Sequence, residues 1–162
     1  MFWCDWGVEH KIEVANMDGD VRRLLVSRGL YWPNGLTLDH ATNRLYWVDA
    51  GQNTLEFYDL ERHTHATLSL SSHFLPQPFG LTLLEDHVYW TDWQWKAVFQ
   101  TERNPQLLTV LVQNLGQPMD IHAYDKNQTL SGKNIKTQRV CFNFGRLSYS
   151  YFLSLCKQIA QA

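Results

Sequence analysis

The stretch YWTDW at residues 89–93 decides the fold of this chain, because versions of it recur at a nearly fixed spacing. YWVDA occupies residues 46–50 and FWCDW occupies residues 2–6, so an aromatic residue, a tryptophan and an aspartate keep their places. The tryptophans Trp3, Trp47 and Trp90 lie 44 and 43 residues apart. A period of this length is typical of propellers and solenoids.

Other positions of the chain keep the same register. Two sets of apolar residues are spaced by 43 residues at each step, namely Ile12, Leu55 and Val98, and Leu25, Leu68 and Leu111. The segments PNGLTL (33–38) and PFGLTL (78–83) precede the second and third motifs, and PMDI (118–121) starts a fourth unit. This many aligned positions indicate three copies of one structural unit.

The periodicity inside each unit is that of β-strands. The segment Gly35–Leu38 alternates apolar and polar residues, a polar turn follows, and Leu45–Val48 begins the next apolar run. Two further short runs complete each unit, separated by turn-forming pairs such as Asp18-Gly19. Four short strands in about 43 residues predict an all-β fold built from propeller blades.

Composition and charge exclude several classes of function. The chain has 162 residues, and 14 basic against 16 acidic side chains give a net charge of −2. No basic excess is present to replace phosphate counterions, so nucleic acid is not an expected partner. No apolar run reaches about 18 residues and the N-terminus has no basic leader, so we expect neither a membrane span nor a signal peptide in this chain.

The three cysteines cannot all pair with one another. Cys4 lies far along the chain from Cys141 and Cys156, so at most one bridge could form, within the tail. We expect Cys4 to be a buried, unreactive thiol, because it occupies a strand position of the repeated motif.

Residues 129–162 depart from the repeat. We expect a non-native or loosely ordered tail here. The alternative is one short amphipathic helix, because Leu147, Tyr151, Leu155 and Ile159 recur every four residues. The chain is therefore divided into a repeat domain at residues 1–128 and a divergent tail at residues 129–162.

The cores YWTD (89–92) and YWVD (46–49), the lead-in PNGLTLD (33–39) and the segment IEVANMDG (12–19) resemble the YWTD, or class B, repeats of the low-density lipoprotein receptor and its related proteins. The resemblance implies a six-bladed β-propeller on the extracellular side of a cell-surface receptor. This chain is then about three of six four-stranded blades with an unrelated C-terminal tail, as in a truncated or splice product.

The resemblance also implies a function. YWTD propellers of this family bind protein ligands, help to release endocytosed cargo, or bind Wnt proteins and their antagonists. We therefore expect a non-enzymatic, receptor-type interaction domain without a cofactor, whose partners are extracellular proteins of the lipoprotein, Wnt-type or antagonist class. Two alternatives stay open: a non-functional or decoy fragment that does not fold alone, and a propeller hydrolase.

The motif residues themselves are expected to be structural. Asp5, Asp49 and Asp92 occupy equivalent positions in successive blades, too far apart to act as a catalytic acid–base pair. Trp3, Trp47 and Trp90 are expected to anchor the core between blades. We expect no catalytic residue and no metal site, since the pair His63 and His65 lacks further ligands at zinc-like spacing.

Candidate ligand-binding residues gather on one face of the predicted propeller. The connections between strands 2 and 3, and between successive blades, emerge on the same face and carry large aromatic residues. The candidates are Trp6, Tyr31, Trp32, Asn34, Phe79, Trp93 and Trp95. Exposed aromatic side chains beside a central depression suit a protein or peptide ligand. Asn127 begins an N-glycosylation acceptor pattern, Asn127-Gln128-Thr129.

The position of the repeats in the chain raises the question of self-association. Met1 enters at the second strand of its blade, and residues 118–124 supply a first strand with no expected successors. A head-to-tail homodimer would place residues 119–122 against residues 2–5 of a second copy and complete six blades. The alternative is a monomer that aggregates through its open edges.

Overall fold

Four antiparallel β-sheets make up the part of the chain that this computed structural model describes. The structure describes residues 1–68, 75–103, 107–130, 133–144 and 154–158, with side chains up to residue 123. These ranges contain strands and turns but no helix. The predicted all-β class with partial-propeller architecture is confirmed.

The first sheet has three strands in the order β1 (Phe2–Asp5), β2 (Lys11–Val14) and β3 (Arg23–Val26). β1 carries the first copy of the repeated motif, so this sheet contains the second, third and fourth strands of a blade. Its turn between β2 and β3 has Gly19 at φ 90°, a conformation that glycine adopts without steric cost.

The second sheet is a complete blade in sequential order. It consists of β4 (Pro33–Asp39), β5 (Arg44–Asp49), β6 (Thr54–Asp59) and β7 (Thr64–Leu68). The β4–β5 turn is closed by Asp39, whose carboxylate accepts hydrogen bonds from the Ala41 N–H at 3.0 Å and the Thr42 hydroxyl at 2.5 Å. A short polar turn of this kind explains why the sequence reverses direction here.

The third sheet repeats this arrangement. It consists of β8 (Pro78–Leu84), β9 (His87–Asp92), β10 (Ala97–Glu102) and β11 (Leu108–Val112). Pro33 and Pro78 each stand at the first position of an innermost strand, where a missing N–H is tolerated.

The fourth sheet corrects what the sequence predicted for the tail. β12 (Pro118–Leu130) pairs with β13 (Lys133–Phe144), which in turn pairs with β14 (Ser154–Gln158). The innermost strand of the fourth unit therefore has successors. The expected loosely ordered tail is wrong over residues 133–144 and 154–158, and the helical alternative is wrong over residues 154–158. The rest of that helix, at residues 147–153 and 159, lies outside the described residues, and the division at residue 128 stays a prediction.

The second, third and fourth sheets are joined by their innermost strands, and the first sheet is joined to the second through β1. β4 lies against β8 and β8 against β12, while β1 lies against β4. A Cβ atom on Gly35 would lie 2.5 Å from the Leu81 backbone nitrogen, and one on Gly80 would lie 2.6 Å from the Met119 carbonyl oxygen. The two lead-in segments require glycine here because neighbouring blades approach backbone to backbone.

Hydrophobic clusters fill the spaces between successive sheets. Trp47 packs with Ile12 and Leu45 between the first and second sheets. Trp90 packs with Tyr46 between the second and third sheets, and one further cluster packs residues of the third sheet against Ile121 of β12. The core is thus divided into layers, each of which needs two neighbouring blades.

Candidate ligand-binding face

The aspartate of the second motif fixes two loops on one face of the molecule. Asp49 is fully buried, and its carboxylate accepts hydrogen bonds from the backbone N–H groups of Tyr31 at 2.8 Å and Trp32 at 3.0 Å. It also accepts from the N–H groups of Gly51 at 2.9 Å and Gln52 at 3.0 Å. Both loops are therefore positioned by one charged group at the end of β5.

Asp92 has the same role in the third sheet. It is fully buried and accepts hydrogen bonds from the N–H groups of Gln77 at 3.0 Å and Trp95 at 2.9 Å. Burial raises the pKa of the Asp92 carboxyl above its ordinary value, and the backbone donors oppose this rise. Asp5 differs, because it is exposed and accepts from the Gly7 N–H at 2.8 Å.

The loops that these aspartates hold form a cavity of about 260 Å³. Four of its lining side chains are aromatic, and two more are amides. The complete lining is Trp6, Trp32, Asn34, Ala50, Gln77, Pro78, Phe79 and Trp93. We call this surface the aromatic face. None of these side chains carries a charge, so the cavity suits apolar groups with a few hydrogen bonds.

One wall of the cavity is held rigidly. Phe79 and Trp93 stack with their rings 4.6 Å apart and 10° from parallel. The Trp93 indole N–H donates to the carbonyl of Pro118 at 2.9 Å, which ties this wall to β12. The Asn34 side-chain amide donates to the carbonyl of Pro78 at 3.1 Å. These contacts fix the orientation of the wall.

The opposite wall is open to solvent. Trp6 is 58% exposed and Trp32 is 53% exposed, although both line the cavity. Tyrosine and tryptophan rings with half of their surface exposed are typical anchors of protein interfaces. This wall offers the surface that a ligand would cover.

A second cavity of about 240 Å³ lies next to the aromatic face, towards the innermost strands. Trp6, Asn34 and Phe79 line both cavities, and Cys4 and Asp120 belong to the second alone. Together the two cavities form a depression that runs from the aromatic loops to the inner strands.

The structure brings together five of the seven predicted ligand-binding residues. Tyr31 and Trp95 are 59% and 51% exposed but do not line the cavity. Tyr31 lies near His10, with ring centroids 6.3 Å apart. The role of all seven residues in ligand binding stays a prediction.

Three lining residues were not singled out from the sequence: Ala50, Gln77 and Pro78. Ala50 is the last residue of the second motif copy, Gln77 precedes the lead-in PFGLTL (78–83) and Pro78 begins it, so their register in the repeat was a usable signal. A cavity wall made of small or backbone-contributing residues carries little signal of its own in a sequence.

The predicted structural residues occupy the positions just described. Trp47 and Trp90 are fully buried, whereas Trp3 is half-buried. Among the residues with described side chains, no group of three or more histidine, cysteine, aspartate or glutamate residues could hold a metal ion. His65 lies in β7, with its Nε2 atom 2.5 Å from Glu56 Oε2. Asn127 lies in β12, and its side chain is outside the described part.

The part of the chain that the structure describes contains no helix long and apolar enough to cross a membrane.

Comparison with known families and proteins gives consistent results. Residues 1–40 match the family described as low-density lipoprotein receptor repeat class B. The human low-density lipoprotein receptor-related protein 5-like protein is 33% identical over 129 residues, which is 80% of this chain and 50% of that protein. The vitellogenin receptor Yl of Drosophila melanogaster is 40% identical over 98 residues, 60% of this chain and 5% of that receptor. The chain thus spans half the human relative and a small part of the fly receptor.

Solved structures show the same fold. A chain of the nidogen–laminin complex superposes with a TM-score of 0.63 and 29% identity, over 75% of this chain and 46% of that chain. A luciferin-regenerating enzyme superposes with a TM-score of 0.63 over 86% of this chain and 47% of its own. At 16% identity this second likeness shows the fold alone.

Proposed function

We propose that this chain is a non-enzymatic, receptor-type module that binds a protein ligand on its aromatic face. Its residues 1–40 match the low-density lipoprotein receptor repeat class B, and it is similar to receptors and a receptor-related protein. The observation that carries this proposal is the uncharged cavity of about 260 Å³ with four aromatic side chains in its lining. Such a surface resembles the centre of a protein interface, where aromatic residues are enriched and charged residues are depleted.

The chemistry of the face indicates what a ligand should present. An apolar side chain would fill the cavity between Trp6, Trp32 and the Phe79–Trp93 wall. Polar backbone or amide groups of the ligand would meet Asn34 and Gln77 at its margin. A peptide segment with an apolar anchor and hydrogen-bonding groups on either side meets both requirements.

Relatives support an extracellular ligand. Two of the similar proteins are a receptor-related protein and a receptor named for vitellogenin, and a structural neighbour was solved as a nidogen–laminin complex. We place the chain's function on the extracellular side of a cell surface, with an endocytic or Wnt-type ligand, its antagonist or a lipoprotein as the classes to test.

The aspartates of the motif support binding rather than catalysis. Asp49 accepts four backbone hydrogen bonds at the end of its strand, three at Oδ1 and one at Oδ2, so its carboxylate serves to hold the two loops. Asp92 is held in the same way by Gln77 and Trp95. Asp49 and Asp92 therefore hold the loops of the aromatic face in position.

A peptide-display selection against the purified chain tests the proposal. We expect enriched peptides to share an apolar anchor, and to lose about tenfold or more in affinity for the Trp32→Ala variant, as truncated interface hot spots do. Leu24→Ala removes a side chain that is 57% exposed in β3, away from the cavity lining, and should bind as the unaltered chain does. Enriched peptides that bind Trp32→Ala and Trp6→Ala unchanged would place the site elsewhere.

A further inference from the structure

Cys141 and Cys156 take no part in the proposed function, whereas Cys4 lies close to the aromatic face. Cys4 lies in β1, where its thiol donates a hydrogen bond to the carbonyl of Asn34 at 2.9 Å. β1 pairs with β2 and lies against β4. Cys141 and Cys156 belong to the fourth sheet, in β13 and β14. Cys4 is therefore accounted for within the first two blades.

The register of β13 and β14 sets the other two cysteines opposite each other. Five consecutive pairs join the strands, from Arg139 with Gln158 to Asn143 with Ser154, and Cys141 with Cys156 is the central pair. Residues directly opposite in an antiparallel pair share a face of the sheet, with Cα atoms about 4.5–5.5 Å apart. Disulfides join residues whose Cα atoms are about 4.4–6.8 Å apart. The backbone register thus satisfies the distance that a disulfide needs.

We propose that Cys141 and Cys156 form a cross-strand disulfide that joins β14 to β13. A low-molecular-weight disulfide of the glutathione class is the oxidant. One cysteine thiolate attacks the oxidant, a mixed disulfide forms and one glutathione thiol leaves. The second cysteine thiolate then attacks the protein sulfur of the mixed disulfide, and the second glutathione thiol leaves. Two protein thiols are oxidised, one glutathione disulfide is reduced, and the two protons end on the two glutathione thiols.

The bond would secure the last strand of the fourth sheet. β14 pairs with β13 over only five residues, and residues 145–153 connect the two strands along the chain. A disulfide at the central pair fixes this register, because a slip by one residue would turn the two cysteines to opposite faces of the sheet.

Peptide mapping of the full chain tests the proposal. The folded chain is equilibrated with reduced and oxidised glutathione, quenched in acid, alkylated in denaturant and digested with trypsin without reduction. Because Arg146 lies between the two cysteines, peptides 140–146 and 147–157 remain joined only if the disulfide is present. We expect this joined species, with Cys4 alkylated, at a level about tenfold or more above that of the same chain equilibrated in urea.

A register variant serves as the matched control. In Cys156→Ser/Lys157→Cys the second thiol moves by one position, opposite Val140 and on the other face of the sheet, while the sequence separation hardly changes. Because this variant lacks the cleavage site at Lys157, its joined species contains peptides 140–146 and 147–162. We expect this species to fall to the level found when the variant is equilibrated in urea. Equal yields from the folded and urea-treated chain, equal yields from the variant, or a link that includes Cys4 would each overturn the proposal.

Discussion

Three different side chains occupy the third position of the repeated motif: Cys4, Val48 and Thr91. The Thr91 hydroxyl donates to the carbonyl of Met119 at 3.0 Å and accepts from the N–H of Gly80 at 2.8 Å. Thr91 thus joins its own innermost strand to that of the next blade. The Cys4 thiol makes the corresponding contact to the next blade, through Asn34.

Cys4 should react slowly with thiol reagents. Cys4 is half-buried and not fully buried as the sequence predicted. This partial burial still raises the pKa of its thiol above the ordinary value of 9.0, which lowers the thiolate fraction at neutral pH. In Cys141→Ser/Cys156→Ser, the one remaining thiol is followed by maleimide labelling. We expect labelling to be slower than that of a free cysteine peptide, and to reach the peptide rate in urea. Labelling at the peptide rate in the folded chain would contradict the prediction.

Buried and exposed tryptophans should differ in what their removal changes, stability or peptide binding. Trp90 is fully buried, so Trp90→Ala should cost about 3–5 kcal/mol of unfolding free energy. Trp32 is 53% exposed, so Trp32→Ala should leave the urea midpoint nearly unchanged while it weakens peptide binding. Urea unfolding followed by circular dichroism provides the measurement.

Trp93 should lie between these extremes. Its ring stacks on Phe79 and its indole N–H bonds to Pro118, so the residue contributes both to the fold and to the cavity wall. Trp93→Ala that destabilises the chain as severely as Trp90→Ala would show that its role is structural.

At the scale of strands, the side chains next to the motif tryptophan differ from blade to blade. Two positions of the repeat belong with each motif tryptophan: one in the third strand of the blade, and one in or just before the fourth strand. In successive blades these residues are Glu13 and Arg22 for Trp3, Glu56 and His65 for Trp47, and Phe99 and Leu108 for Trp90. In the first blade the guanidinium lies 5.2 Å from the indole centroid and pairs with the carboxylate, and in the second the imidazole lies 5.0 Å from the indole. In the third blade the pair of charges is replaced by a stacked aromatic ring.

The Glu13–Arg22 pair should make the first blade sensitive to acid. Hydrogen bonding from Arg22 holds the pKa of the Glu13 carboxyl below its ordinary value of 4.5. A carboxyl whose pKa is lowered by folding stabilises the folded state above its ordinary pKa, and this contribution is lost as the pH falls through the lowered value. Glu13→Gln should therefore reduce the loss of stability between neutral pH and pH below 4.5.

Thermal unfolding over this pH range measures the effect. Glu9→Gln, a change of an exposed acid in the β1–β2 connection, is the matched control. If Glu13→Gln keeps the full pH dependence of the unaltered chain, the pair does not contribute to it.

Arg103 joins the second and third blades on the side opposite the aromatic face. Its guanidinium donates to the Asp39 carboxylate and to the carbonyl of Glu85, and Asp39 is buried. Arg103→Ala leaves this carboxylate without its cation, so we expect a loss of about 1.5–3 kcal/mol of unfolding free energy.

Arg62→Ala is the control for Arg103→Ala. Arg62 also pairs with an aspartate, Asp59, at 3.4 Å, but its side chain is 73% exposed. Exposed pairs contribute about 0–1 kcal/mol, so the control should be nearly neutral in the same urea titration. If both variants lose the same unfolding free energy, the contact of Arg103 between the blades adds no more stability than an exposed ion pair.

At the scale of the whole molecule, the fourth sheet changes the expectation for self-association. The edge of β12 that residues 2–5 of a second copy would occupy is taken by β13 of the same chain. A head-to-tail dimer would require β13 to separate from β12, which would break the backbone hydrogen bonds between these two strands. We therefore expect sedimentation to give a species of 19.0 kDa with a cooperative thermal transition. A sharp species of twice this mass would instead support the dimer, and aggregation without a transition would support the decoy alternative.

The sequence by itself determined the strands and blades of the repeated part and the residues of the motif. A motif with a 43-residue period is read directly from residue types, and it located the buried Trp47 and Trp90 as well as the loops of the aromatic face. These features are local or repeat along the chain, so neighbouring residues carry enough information to predict them.

Only the tertiary structure decided how the loops and the tail combine. The cavity depends on contacts between blades, such as Trp93 with Pro118 and Asn34 with Pro78, which no local pattern specifies. The strand at Ser154–Gln158 likewise forms because β13 offers it a partner, although its own sequence also fits a helical period. Strand pairing and cavity shape depend on residues distant in sequence, and this is why they had to be read from the fold.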